Sequence, residues 1–259
     1  MGLYSHASQE RLSRVFRDNF SAEDIAEPLR SFDHTASVES VLEFMRVRDY
    51  RVIGVRHEGE LIGFVEREDL PAPSLWEVCQ EFPPELVLPS SAGYERAIAI
   101  LNHSRRAFIE VFGKVGGIVT RTDMSKPPVR MWLFGMVTII EMGLLRMIEE
   151  NLTPDQWQAL LQPSRLEKAR ELQGMRVAKS QQLDLLDCLQ FCDKCHIIAK
   201  DENLRAKFNF SSRKRANDVF SDLESLRDSL AHSNDIVGQD WDSIVRLAGS
   251  IEELMAIVS

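Results

Sequence analysis

Two seven-residue stretches, Gly63-Phe-Val-Glu-Arg-Glu-Asp69 and Gly117-Ile-Val-Thr-Arg-Thr-Asp123, lie 54 residues apart (117 − 63), and the same pattern leads into each. In the first copy Ser37 is placed to cap a helix whose apolar residues Val38, Val41, Leu42 and Met45 recur at helical spacing. In the second, Tyr94, Ala97, Ile98 and Leu101 repeat that spacing. Each helix leads into two β-rich runs around a turn: Val52 to Val55 and Leu61 to Val65 about Glu58-Gly59, then Ala107 to Val111 and Val115 to Val119 about Gly113. A unit of helix, strand, turn and strand that occurs twice makes residues 21–128 a duplicated α+β module.

After Pro127-Pro128, strand signals give way to helix signals. Met131 to Glu150 reads as one long helix. Thr153-Pro154-Asp155-Gln156 combines an N-cap, a first-turn proline and a capping-box glutamine, and Ser164-x-x-Glu167 is a second capping box. Residues 129–259 are therefore predicted to be an all-α bundle, with residues 1–20 a short N-terminal helical segment. A length of 259 residues suits about two domains. The net charge of −9 argues against a protein that coats nucleic acid along its whole surface, and leaves room for a local basic patch. Met131 to Ile148 is the most apolar stretch, but Glu141 and Arg146 interrupt it and it falls short of the roughly 20 apolar residues of a membrane span. With no signal-peptide pattern and four cysteines in no disulfide-like framework, a cytoplasmic location without membrane contact is expected.

Two charges stand on apolar helix faces. Arg227 falls inside the stripe of Phe220, Leu223 and Leu230, which Val219 and Leu226 broaden, and Glu141 sits between Val137, Leu144 and Ile148. A buried unpaired charge is costly, so either the two pair with each other in the core or they line a polar cleft.

The duplicated module resembles a pair of CBS domains, which commonly dimerise and bind adenosine-containing ligands in the cleft between them. The quoted endings are similar to that family's Gly-apolar-apolar-Thr/Ser-x-x-Asp motif. The resemblance implies that the hydroxyl contacts phosphate and the carboxylate the ribose. The second copy is complete, with Thr120 and Asp123; the first keeps Asp69 but has Glu66 in the hydroxyl's place, where a carboxylate would repel phosphate. One competent site at Thr120 and Asp123 is implied, and Asp69 marks a weaker one. For both aspartates the alternative is a helix cap.

The helical half resembles the HEPN domain, on the strength of Leu226-Arg-Asp-Ser-Leu-Ala-His232 and an earlier helix with Glu141-x-x-Leu144-x-Arg146. The run from Leu185 to Lys194 looks like that family's middle helix. The fold class is thus an α+β CBS pair followed by an all-α, HEPN-like bundle. Many HEPN proteins are metal-independent ribonucleases, while others only bind or dimerise. The resemblance implies a catalytic set of Arg227, His232, Asp228 and Glu141. An imidazole titrating near neutrality can move the proton of a ribose hydroxyl, and a guanidinium can stabilise charge growing on phosphorus. Arg227 and His232 are about 140° apart on an ideal helix, so the helix must end or bend near His232.

Two further signals are weaker. Cys192-Asp-Lys-Cys195-His196 matches a haem-attachment string, but Leu185, Cys188, Leu189, Cys192, Cys195 and Ala199 share one helical stripe and read as core; no metal site is assigned. From Leu204 to Asn217, Arg205, Lys207, Arg213, Lys214 and Arg215 occur without an acid and with Phe208 and Phe210 between them. This run is either an RNA-backbone contact or a solvated loop. The functional expectation is a homodimeric sensor and effector that requires no cofactor and takes AMP, ADP or ATP as a regulatory ligand. Its effector is either a ribonuclease acting on RNA or a non-enzymatic scaffold.

Overall fold

The computed structural model describes residues 6–179, 181, 183–231 and 241–258. The chain divides into two compact units: residues 20–126, and residues 1–19 together with 127–259. Helix α1 (His6–Asp18) belongs to the second unit. The α+β unit then runs β1 (Glu27–Pro28), β2 (Ser31–Asp33), α2 (Val38–Val47), β3 (Val52–His57), β4 (Glu60–Glu66), α3 (Leu75–Val78), β5 (Val87–Pro89), α4 (Tyr94–His103), β6 (Arg106–Val111) and β7 (Lys114–Thr120).

Both copies of the repeat fold alike. β2 runs parallel to β3 and β5 to β6, with α2 and α4 as the crossovers, and each second strand turns back antiparallel into β4 or β7. The hairpins need left-handed backbone at both turn residues, and Glu58-Gly59 (φ 50° and 83°) and Phe112-Gly113 (φ 51° and 79°) supply it, with glycine at the second place free of any Cβ penalty. The β-bulge recurs at the same offset, between Val55 and Arg56 and between Ile109 and Glu110. The apolar stripes fill their cores: Val41 and Met45 of α2 are buried, as are Tyr94, Ala97, Ile98 and Leu101 of α4. Ser37 caps α2 by accepting the Ser40 N–H.

The copies are also interlocked. β1 pairs with β7 of the other copy, Glu27 opposite Ile118 and Pro28 opposite Gly117, which makes the sheet orders β2-β3-β4 and β1-β7-β6-β5. Phe64, Phe82 and Phe108, with ring centroids 4.7 to 5.8 Å apart, form a cluster shared by both copies.

The helical unit continues with α5 (Pro127–Asn151), α6 (Pro154–Ala159), α7 (Pro163–Val177), α8 (Phe191–Lys200), α9 (Glu202–Lys207), α10 (Arg213–Ala231) and α11 (Trp241–Val258). α5 is its axis, with α1, α8, α10 and α11 packed around it. At 25 residues it is longer than its sequence pattern predicts, and by length and composition it could cross a membrane; 67% of its most apolar window is buried in the folded chain. α1 lies along α5, so residues 1–19 group with the bundle.

Thr153 caps α6 with the predicted box. Ser164 does not cap α7: Gln162 takes that place, Pro163 opens the first turn and Ser164 lies inside it. The stripe from Leu185 to Ala199 is not one helix either. Leu186–Cys188 is a 3-10 turn, Leu189 is extended, and α8 starts afresh at Phe191 behind a Gln190/Asp193 capping box. Of the run from Leu185 to Lys194, only the part from Phe191 onward is α-helical.

Candidate functional site

β7 delivers Thr120 to the edge of a cleft of about 910 Å³, which Asp123 also lines. Thr120 caps the 3-10 turn Arg121–Ser125, and Asp123 Oδ2 reaches back to accept its N–H at 2.7 Å and its hydroxyl at 2.8 Å. Asp123 Oδ1 holds Lys126 at 2.9 Å. Burial works against the Lys126 charge, but hydrogen bonds to Glu27 and Asp123 outweigh it and hold the ammonium above its ordinary pKa. Cap and cleft wall are therefore the same carboxylate. Five arginines (30, 51, 105, 106 and 121) line the cleft against Glu27, Asp49 and Asp123, a formal excess of two positive charges (5 − 3). Arg121 donates to the Leu101 carbonyl at 3.0 Å and Arg105 to Glu68 at 3.2 Å. Arg30 and Arg51 have no side-chain partner among the described residues. Sequence reasoning missed both, because neither belongs to the repeated motif.

The first-copy positions are engaged inside the protein. Arg106 Nη1 donates to Glu66 Oε1 at 2.7 Å, and its guanidinium lies 5.7 Å from the centre of the Phe64 ring. That hydrogen bond holds the Glu66 carboxyl below its ordinary pKa, against the opposing effect of burial. Asp69 accepts from Gln80 Nε2 at 2.9 Å and does not line the cleft. Nor does it cap a helix: it is the last residue of the 3-10 turn Arg67–Asp69, whose N-cap is Glu66. Of the three predicted nucleotide residues the structure brings together Thr120 and Asp123.

The helical unit holds a second cleft, of about 510 Å³, that Glu141, Arg227 and Asp228 all line. Glu141 and Arg227 do not pair with each other. Glu141 Oε1 accepts from Lys194 Nζ at 2.8 Å, and Lys194 is only 5% exposed. Arg227 instead lies half-buried, 5.8 Å from the centre of the Phe191 ring, with Asp228 exposed beside it. The polar-cleft alternative is the one realised, and Lys194 is the cation the sequence reading passed over. Three cations (Arg176, Lys194, Arg227) face four carboxylates (Glu141, Asp187, Glu224, Asp228), so the lining carries a formal charge of −1 (3 − 4). His232 lies outside the described residues.

The basic run splits into structural and exposed parts. Arg205 donates to the Ala199 carbonyl at the end of α8, and Lys207 bonds Asn151. Phe208 is buried against Phe210, which meets Phe220 edge-on, so these rings belong to the core rather than to base stacking. Arg213, Lys214 and Arg215 remain exposed on the first turn of α10, capped by Ser212. Burial raises the thiol pKa of Cys188, Cys192 and, most of all, Cys195, and lowers that of His196. Among the described residues no group of three or more His, Cys, Asp or Glu side chains is arranged to hold a metal ion.

Residues 22–70 match the family of CBS domains. No curated protein matches the chain. Among solved structures, CBSX2 in complex with AMP is 21% identical over 43% of this chain and 98% of that one, with a TM-score of 0.38. CBSX2 from Arabidopsis thaliana is 22% identical over 44% of this chain and 94% of that one, at a TM-score of 0.36. The CBS domain of a bacterial CNNM/CorC family Mg2+ transporter in complex with ATP is 16% identical over 44% and 90%, at 0.35. The CBS match thus covers the first copy of the repeat, and the second copy follows the same α+β plan.

Proposed function

We propose that the chain is a nucleotide-sensing regulatory protein, in which AMP, ADP or ATP binds in the cleft of Thr120 and Asp123 and the helical unit carries the response. The observation that carries this reading is the concentration of positive charge in that cleft, in a chain whose net charge is −9. Arg30 and Arg51, whose side chains have no partner among the described residues, are suited to phosphate. The Thr120 hydroxyl now gives its proton to Asp123; to meet a phosphate oxygen it must turn that proton outward, while the backbone N–H keeps the cap closed. Asp123 has lone pairs left for ribose hydroxyls, but a ribose there competes with Lys126, the residue immediately before α5. Ligand binding therefore acts on the chain at its exit into the helical unit. With Glu66 and Asp69 already engaged, one nucleotide binds per chain.

Calorimetry and thermal melting of the full chain with each nucleotide test this. A ligand at a hundred times its Kd stabilises by about 2.7 kcal/mol, and Asp123→Ala or the Arg30→Ala/Arg51→Ala pair removes the shift while Asp69→Ala keeps it. No heat with any adenine nucleotide, or equal losses at Asp69 and Asp123, overturns the reading.

For the output, the acid-rich helical cleft favours docking or homodimerisation in the cytosol over RNA cleavage. A metal-independent ribonuclease is the second reading, supported by the half-buried Arg227 guanidinium, which lines that cleft and has no ion-pair partner among the described residues. Single-stranded RNA in EDTA, with Arg227→Ala and His232→Ala purified in parallel, separates the two. Cleavage by wild type alone, lost about 10² to 10⁴-fold in His232→Ala, establishes the enzyme.

A further inference from the structure

We propose that His34 and His57 form a clamp for one divalent transition-metal ion of the zinc or copper kind. The two residues stand side by side where the parallel strands β2 and β3 end, and the backbone fixes them there: Asp33 pairs with Arg56, and the His34 N–H donates to the Arg56 carbonyl at 2.9 Å. Their Nδ1 atoms face each other at 3.4 Å. Two nitrogens bound to one tetrahedral metal at about 2.05 Å each are about 3.3 Å apart, so the separation of the two Nδ1 atoms matches that bite. If both rings carry their proton on Nε2, two lone pairs point into the same space, and a cation between them removes the repulsion. Asp33 Oδ1 lies 3.2 Å from His34 Nδ1 and is held by the Thr35 N–H and hydroxyl, which places a fixed negative charge beside the clamp. Trp76 closes one side, edge-on to both rings at 5.3 and 5.2 Å, while staying 52% exposed. The protein contributes two imidazoles, and water completes the coordination.

The fold does not require histidine here. In the second copy the Ser90 N–H makes the equivalent bond to Glu110, and Val111 ends β6 as His57 ends β3. Ser90 and Val111 thus show which residues the same geometry accepts without imidazoles. The site goes beyond the nucleotide reading and shares no residue with that cleft.

The test is zinc titration of the metal-stripped full chain by calorimetry, with copper quenching of Trp76 fluorescence as the local readout. One zinc per chain is expected, with affinity reduced about tenfold or more in His34→Ser and in His57→Val, the substitutions the second copy already tolerates. Trp76→Phe should keep the zinc heat and lose the copper quench. Wild-type protein that takes up no zinc at millimolar concentration overturns the proposal. So does zinc binding that survives in the His34→Ser/His57→Val double variant, which would assign the metal to the cysteines of α8.

Discussion

Replacing Glu66 by Thr gives the first copy the hydroxyl that its motif lacks, and repeat symmetry alone predicts a second nucleotide site. The structure predicts a loss of stability instead. Arg106 is 7% exposed and Glu66 is its ion-pair partner at 2.7 Å, so the substitution leaves a buried guanidinium without its counter-charge. Breaking a buried pair costs about 3 to 5 kcal/mol. The Glu66 side chain is 27% exposed, so water can partly replace it, and the Phe64 face keeps a cation–π contact. We expect a loss of about 2 to 3 kcal/mol, read as a fall of about 1 M in the urea midpoint of the full chain. The repeat supplies the compensating change: Val52 opposes Glu66 as Arg106 opposes Thr120, so Arg106→Val makes position 106 like its counterpart. The double variant Glu66→Thr/Arg106→Val should recover most of the loss, with a coupling of about 1 to 3 kcal/mol. The pH arm follows from the depressed Glu66 pKa. Its stabilisation is complete above the unfolded value of 4.5 and is lost as pH falls through the folded value, so the advantage of wild type over Glu66→Gln holds at pH 7 and shrinks in acid. A cost below about 0.5 kcal/mol, or no coupling with Arg106→Val, refutes the reasoning.

The ion pair in the helical unit should respond asymmetrically. Glu141→Gln leaves the Lys194 ammonium unpaired at 5% exposure and should cost about 3 kcal/mol, whereas Lys194→Met leaves a carboxylate that is 26% exposed and should cost about 1, both by urea unfolding. In α5, a Cβ at Gly135 would lie 2.2 Å from the Phe16 ring, so Gly135→Ala should cost about 1 to 3 kcal/mol through overpacking. Hydrogen exchange should show faster exchange in α1, and unchanged protection there would mean that α1 does not depend on this contact.

The repeat was legible because its signals are local. Helix spacing, the X-Gly turn and strand alternation each span fewer than about ten residues, and each recurs at a fixed offset. The unread features are long-range or depend on a competition. β1 is two residues long and pairs some ninety residues downstream, which no local period encodes. The break before α8 is invisible because the apolar spacing runs on from Leu185 and Cys188 through Leu189 to Cys192 although the helix does not. Glu141 was recognisable as a charge needing a partner, but spacing does not choose between Arg227 and Lys194. Burial chose Lys194, whose amine reaches the carboxylate, and left Arg227 to Phe191.

Where the two copies differ, they carry the functional information that their shared fold does not. A perfect duplication would place the same side chains at both motif ends and give two equal clefts. Here Thr120 faces Arg106 where Glu66 faces Val52, and this double exchange puts an ion pair between Glu66 and Arg106 that ties the copies together. The same comparison isolates His34 and His57 against Ser90 and Val111, in positions where the backbone bonds are matched and only the side chains diverge. Some differences serve the fold of one copy alone, as Ser37 does by capping α2 where Gly93 stands before α4. A polar side chain present in one copy, absent from the other and making no cap or ladder bond of its own answers to something besides the local fold, either a bound ligand or the junction between the copies.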